Sequence, residues 1–233
     1  MTGELGKISK AMDSMRAQLA ARDLQVEQLD KESKRQRDEI TDLKSQLNTI
    51  QQGERSCNLR VLGLDVPAED IAALGPSKAI MKKVYDRLIK PVLVAAKAKN
   101  VLDTVPKIDT VLASAHMAGK PIRDAQGRTL PAPIIVKFQS PELRNVVLKH
   151  KKASLPEPSA AERAAGIRKF LLAEDLTKAN LDLFKRLIDD KRIGTVWTIG
   201  GCARFVLADD ADKHVHKAAS PFLSVDQIVQ QCQ

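Results

Sequence analysis

The sequence predicts an α+β protein in three parts: a long N-terminal coiled-coil helix over residues 1–52, a βαββαβ module over 53–173, and a small α+β C-terminal subdomain over 174–233. Three observations predict it. Residues 5–50 hold one apolar period across more than six heptads. The stretch from 58 to 172 reads as strand, helix, strand, strand, helix, strand, the split βαβ order that builds a four-stranded antiparallel sheet under two helices. Finally, a Gly-Gly pair between two β-rich runs marks a hairpin near residue 200.

The first part follows from counting. Alternating steps of three and four from Leu5 land on Leu5, Ile8, Met12, Met15, Leu19, Arg22, Val26, Leu29, Ser33, Gln36, Ile40, Leu43, Leu47 and Ile50. Eleven of these fourteen are apolar, and no Pro or Gly falls between Gly6 and Gly53. One helix with a narrow seam is expected, running roughly 70 Å at 1.5 Å per residue. A chain cannot bury so narrow a seam by itself, so the apolar residues are oligomerisation candidates and the expected partner is another copy. Arg22, Ser33 and Gln36 are seam positions of the kind that set register and strand number, and both a homodimer and a homotrimer fit.

Charge separates the parts. The chain carries +9, yet residues 1–52 hold nine basic and nine acidic side chains and residues 154–233 hold eleven of each. Residues 53–153 hold eighteen basic against nine acidic, so the entire excess lies in the middle module, as expected of a surface for a polyanion. Three scattered cysteines, Cys57, Cys202 and Cys232, fit neither a disulfide framework nor a zinc site. Glu4, Lys7 and Lys10 stand where a signal peptide needs an apolar run, and no segment is long enough to span a membrane. The expected location is cytoplasmic or nuclear, not secreted, with no membrane partner.

Within the module, Gln51-Gln52-Gly53 is expected to end the rod, and Asn58–Leu64 alternates as a strand. Pro76-Ser77 opens a helix burying Ile80, Val84, Leu88 and Ile89, which Pro91 is expected to break before a second short helix up to Leu102. Ile108–Met117 reads as a strand, Ala118–Pro133 as a long basic loop, and Ile134–Phe138 as the clearest strand. Ser140-Pro141 starts a helix with Leu143, Val146 and Val147 inside and Arg144 and Lys149 outside. Residues 154–166 read as a linker and Phe170–Leu172 as the last strand.

In the tail, Leu176-Thr177 caps a helix with Leu181, Phe184, Leu187 and Ile188 on one side, ended by Gly194. Val196 to Leu207 forms the hairpin, and Asp209–Ala218 and Val225–Gln231 are expected to be short helices.

The candidate nucleic-acid-binding residues are the cations near sheet, loops and helix ends: Arg60, Lys120, Arg123, Arg128, Lys137, Arg144, Lys149, Lys151 and Lys152, with Lys178, Arg186 and Arg204 in the tail. The module has only Tyr85 and Phe138 as aromatics, and Phe138 reads as core. Binding is therefore expected to be backbone-dominated, weakly sequence-selective and strongly salt-dependent. Trp197 could stack on a base, but a packing role between hairpin and helix is favoured.

No catalytic set is recognisable. The four histidines lie outside metal-site spacings, and there is no GxxxxGK loop or nucleophile elbow. Asp189-Asp190 and Asp209-Asp210 read as surface charge, His214-Val215-His216 as solvated, and Gly200-Gly201 as a turn rather than a phosphate site. No enzyme activity, cofactor, metal or small-molecule substrate is expected.

Several short words resemble known families. Asn58-Leu59-Arg60-Val61-Leu62-Gly63-Leu64, Ala115-His116-Met117-Ala118-Gly119 and Pro133-Ile134-Ile135-Val136-Lys137-Phe138 resemble the RNA-binding first-reading-frame proteins of non-LTR (LINE-type) retrotransposons. Glu174-Asp175-Leu176-Thr177, Asn180, Leu183-Phe184, Val196-Trp197-Thr198, Gly200-Gly201 and Arg204-Phe205-Val206 look like the C-terminal domain of baculovirus few-polyhedra (FP) proteins and their retroelement relatives. Met117 departs from the retroelement pattern, which tends to have Arg there. The resemblance implies an RRM-like middle domain, a dimeric or trimeric coiled coil, binding of RNA or single-stranded DNA, and a chaperone or packaging role without catalysis. The alternative function is an oligomeric protein-binding scaffold or viral structural protein.

Overall fold

The computed structural model describes residues 2–123, 127, 129–210, 212, 214–218 and 220–232. Residues 1–49 and 50–233 form two compact units. The first is nearly all of one 53-residue helix, α1 (Thr2–Glu54). Every described apolar seam residue from Met12 to Ile50 is 49–63% exposed; the side chains of Leu5 and Ile8 lie outside the described residues. Gly53 sits inside the last turn instead of ending it. Among the described residues no helix is long and apolar enough to cross a membrane.

The second unit is mixed α and β. Its main sheet has strands β1 (Asn58–Leu62), β2 (Leu112–Met117), β5 (Ile134–Phe138) and β6 (Leu171–Glu174), ordered β2-β5-β1-β6 with every pair antiparallel. Between β2 and β5 the chain makes a small ribbon, β3 (Ile122–Arg123) with β4 (Thr129–Leu130), where a plain loop is expected from sequence.

One sheet face carries the helices α2 (Ala68–Leu74), α3 (Pro76–Val84), α4 (Lys90–Ala98) and α6 (Pro141–His150). Alternation delivers Leu59, Val61, Ile134, Val136, Phe138, Ala115 and Leu172 into one core with Ile80, Val84, Leu88, Leu93 and Val147. Phe138 is 1% exposed, a core residue.

Four corrections concern this part. Pro91 does not break the helix. A π-turn over Tyr85–Ile89, in which the Lys90 N–H reaches the Tyr85 carbonyl, absorbs the missing donor, and α4 continues through Pro91. The expected strand from Ile108 begins only at Leu112, because its partner β5 ends at Phe138. Ile108–Val111 is instead one helical turn, α5, and the next residue, Gln139, donates its N–H to Val111 O. The expected linker contains α7 (Ala160–Ala164), nucleated by a Ser159/Glu162 capping box. Arg144, expected outside, is buried. Ser140 does cap α6 as expected, accepting from the Leu143 N–H at 3.3 Å.

The tail has its own core. The helix α8 (Lys178–Asp189) buries Leu183 and Leu187, with Asn180 half a turn earlier, while Ile188 points outward. It ends at Asp190, so Gly194 falls inside β7 (Ile193–Ile199). Strands β7 and β8 (Cys202–Leu207) make the expected hairpin, with φ of 61° at Gly200 and 77° at Gly201. Positive φ at both central residues is what a tight primed turn requires. The expected helix over 209–218 is absent among its described residues. A third strand, β9 (His216–Lys217), pairs with β8 there, and the His216 ring stacks on Phe205 at 5.5 Å. The last helix is α9 (Val225–Gln230).

Candidate nucleic-acid interface

The second face of the main sheet is read from its register. Arg60 pairs with Ile135 on one side and Ala173 on the other, and Ile135 pairs with His116. Lys137 lies between Asn58 and Ser114 in the next row. No aromatic ring stands in these rows, so the base-stacking platform of conventional RNA-binding sheets has no counterpart here. The face is half-buried around Arg60 and Ile135 and exposed toward β2 at Lys137 and His116.

Around this face the sequence-predicted cations divide into two sets. Lys120, Arg123, Lys137, Lys149, Lys152 and Lys178 are exposed: two in the β2–β5 connection, one on β5, two at the end of α6 and one opening α8. Among the described residues Lys120, Lys137, Lys149 and Lys152 pair with no carboxylate. The others are committed inside the fold. Arg60 lies 3.6 Å from the buried Asp175 carboxylate, which also takes Arg55 at 3.4 Å and the Asn58 amide at 3.2 Å. Lys151 Nζ donates to the Leu172 carbonyl. Burial above all lowers its pKa, Arg144 nearby acts in the same direction, and Glu174 opposes them. Arg186 donates to the Pro221 and Leu223 carbonyls at 2.7 and 3.1 Å, tying α8 to the segment before α9. Arg204 is half-buried opposite Trp197, and its buried Nε has no hydrogen-bond partner. Arg128 lies outside the described residues.

Arg144 needs the fullest correction. It is 4% exposed, and its Nη2 donates to Glu174 Oε1 at 2.7 Å. The same oxygen accepts the Gly200 N–H at 2.9 Å, while Oε2 accepts the Gly201 N–H at 3.0 Å. Two successive amides in a primed turn make a small anion-binding nest, and here the chain's own Glu174 fills it. Gly200-Gly201 is thus a turn and not a phosphate site, because its donors are already satisfied.

Beside it, Gln52 is buried in a second polar cluster. Its Oε1 accepts from the Thr177 N–H at 2.9 Å and the Asn180 amide at 3.0 Å, and Asn180 also donates to Gly201 O at 2.9 Å. A Cβ on Gly201 would lie 2.3 Å from the Gln52 side chain, so only glycine fits. The sequence words Glu174-Asp175-Leu176-Thr177, Asn180 and Gly200-Gly201 are therefore one hydrogen-bonded assembly. Their spacing could not reveal that, since the partners lie 21 to 128 residues apart.

Above the Arg144–Glu174 pair lies a groove of about 610 Å³ between α6 and the hairpin turn. Asn145, Lys149, Ser56 and Thr198 supply its polar wall, and Leu148 and Ile199 its apolar one. Cations that sequence reasoning passed over stand on the helical layer, where Lys78, Lys82, Lys90, Lys97 and Lys99 are exposed on α3, α4 and the turn after them. Their helical spacing on the face opposite Ile80 and Val84 was the available signal. Trp197 is half-buried on β7, and the ring at the centre of the tail core is Phe205.

Among the described residues one set could approach metal geometry: ligand atoms of Asp210, Asp212 and His214 lie within 4.8 Å of one another. Burial would raise the Asp210 pKa, but the N–H groups of His214 and Asp212 and the His214 ring outweigh it and lower it. The loop's own hydrogen bonds account for the arrangement. No protein-family model matches the chain, and comparison with curated proteins returns no match.

Proposed function

We propose that the chain is a homo-oligomeric, non-enzymatic nucleic-acid-binding protein that coats RNA or single-stranded DNA in a chaperone or packaging role. It would be of the kind the retroelement and few-polyhedra resemblance implies. The observation that carries the reading is the segregation of the whole +9 charge into residues 53–153, with exposed Lys120, Lys137, Lys149 and Lys152 free of acidic partners among the described residues. The strand order β2-β5-β1-β6 with helices on one face supports an RRM-like module. The absence of rings from its second face supports recognition of the phosphate backbone rather than stacked bases. The exposed seam of α1 supports self-association through a coiled coil. Linked copies gain avidity, by ~10² to 10⁴, with no new contact to the strand.

The test is filter binding of a labelled single strand to the full chain across a salt series. Replacing Lys120, Lys137, Lys149 and Lys152 with alanine should flatten the log–log salt slope by about 2.8, at ~0.7 per contact. An unchanged slope refutes this surface. Flattening instead on replacing Lys82, Lys90, Lys97 and Lys99 moves the strand to the helical layer. Binding seen only at very low salt favours an oligomeric protein-binding scaffold, a reading supported by the exposed Ile188, Ile199 and Phe222 of the tail.

A further inference from the structure

The exposed seam of α1 needs a partner, and the charges flanking it specify the partner's direction. Written as heptads, the seam has Leu5, Met12, Leu19, Val26, Ser33, Ile40 and Leu47 at a, and Ile8, Met15, Arg22, Leu29, Gln36, Leu43 and Ile50 at d. A strict seven-residue repeat drifts by ~20° per heptad on a straight helix, so the stripe winds around the rod and is covered along its length only by a helix that supercoils with it. The flanking g positions include Glu4, Glu32 and Glu39 and no basic residue. The e positions include Arg37 and Lys44, in the same half of the rod as Glu32 and Glu39. All four of these charged side chains are exposed on α1, and among the described residues none enters a salt bridge within the chain.

We infer that α1 docks on a second copy of itself in parallel and in register. This rests on the proposal that the chain self-associates. In a parallel pair each g residue faces the partner's e residue five positions later. Glu32 then meets the partner's Arg37, Glu39 meets the partner's Lys44, and each contact occurs twice by symmetry. No g–e contact of this arrangement brings like charges together. Reversing one helix swaps its flanks, so g faces g and e faces e. The glutamates then find no cation at any register, and full overlap brings Asp23 nearest the partner's Asp30. The parallel layer at Arg22 does face two guanidiniums. There each d side chain packs into a hole that includes the partner's next residue, Asp23, which supplies the counter-charge. The argument holds for two strands or three, since adjacent helices share the same g–e contacts. Its consequence is functional: residues 50–233 of every copy begin at the same end of the bundle, so their cationic modules can bear on one stretch of strand.

Cysteine trapping in the full chain tests the direction. Met12→Cys and Leu43→Cys chains are mixed before refolding and oxidised, and the linked peptides are identified by mass spectrometry, with the unsubstituted chain as the blank for Cys57, Cys202 and Cys232. The expected main products are 12–12 and 43–43 links. Dominance of a 12–43 link, the pair that full antiparallel overlap brings together, overturns the parallel arrangement and leaves self-association standing. So does an oligomer by sedimentation in which Leu43→Cys never links to itself. A single chain by sedimentation at micromolar concentration overturns both proposals.

Discussion

Replacing Glu174 with glutamine should remove much of the stability of the second unit. The substitution keeps the shape and removes the charge. Arg144, with its side chain 5% exposed, then keeps only the Asn145 Oδ1 contact at 2.8 Å, and the new amide group sets a donor against the Gly200 or Gly201 N–H. Breaking a buried ion pair from one side costs about 3–5 kcal/mol, because the surviving charge stays desolvated. Leaving a buried amide donor unsatisfied costs about 1–3 kcal/mol. A loss of at least about 4 kcal/mol is therefore expected, a large share of the roughly 5–15 kcal/mol of a typical domain. The single tryptophan, Trp197, lies three residues before Gly200 on β7, so its fluorescence follows the hairpin in urea. With a slope of ~2 kcal/mol/M the midpoint should fall by about 2 M. Arg144→Met should cost less, because Glu174 keeps both glycine amides as donors. A Glu174→Gln midpoint within about 0.3 M of the parent, or a larger loss for Arg144→Met, would refute the view that this carboxylate holds the turn.

Three other outcomes are expected. Gly201→Ala should destabilise the chain by about 1–3 kcal/mol in the same urea assay, since the added carbon meets Gln52 at a backbone φ of 77°. Gly200→Asn should stay within about 1 kcal/mol, because open space surrounds that position and asparagine accepts left-handed φ. Asp190 accepts from the Arg192 guanidinium at 3.0 and 2.8 Å and from its N–H at 2.9 Å, bonds that pull its pKa down to about 2. Its contribution should be present above the unfolded value of ~3.9 and vanish as pH falls through about 2, so Asp190→Asn should destabilise at neutral pH and match the parent below pH 2. Ile40→Ser with Leu43→Ser removes two adjacent seam layers, at about 2 kcal/mol or more per deleted side chain if the seam is buried by a partner. Sedimentation should then show dissociation of the oligomer, and an unchanged association would mean that another surface joins the copies.

The sequence by itself was enough wherever the deciding interaction is local. The period of the seam, the Ser140 cap with Pro141 behind it, the alternation of Ile134–Phe138 and the Gly-Gly turn all rest on residues a few positions apart, and all are found as read. It misled where a distant partner or a backbone adjustment intervened. Lys90 bonding five residues back carried the helix through Pro91, the end of β5 shortened β2, and pairing with β8 turned the expected 209–218 helix into a strand. The cations show the same division. Net charge and its confinement to residues 53–153 are properties of composition, but whether an arginine is available to a phosphate depends on which carboxylate the fold brings to it. Arg144 meets Glu174 thirty residues later, and Arg60 meets Asp175 only because β6 pairs beside β1. Burial makes those assignments: a desolvated charge must find its counter-charge, and only the tertiary structure decides which one is within reach.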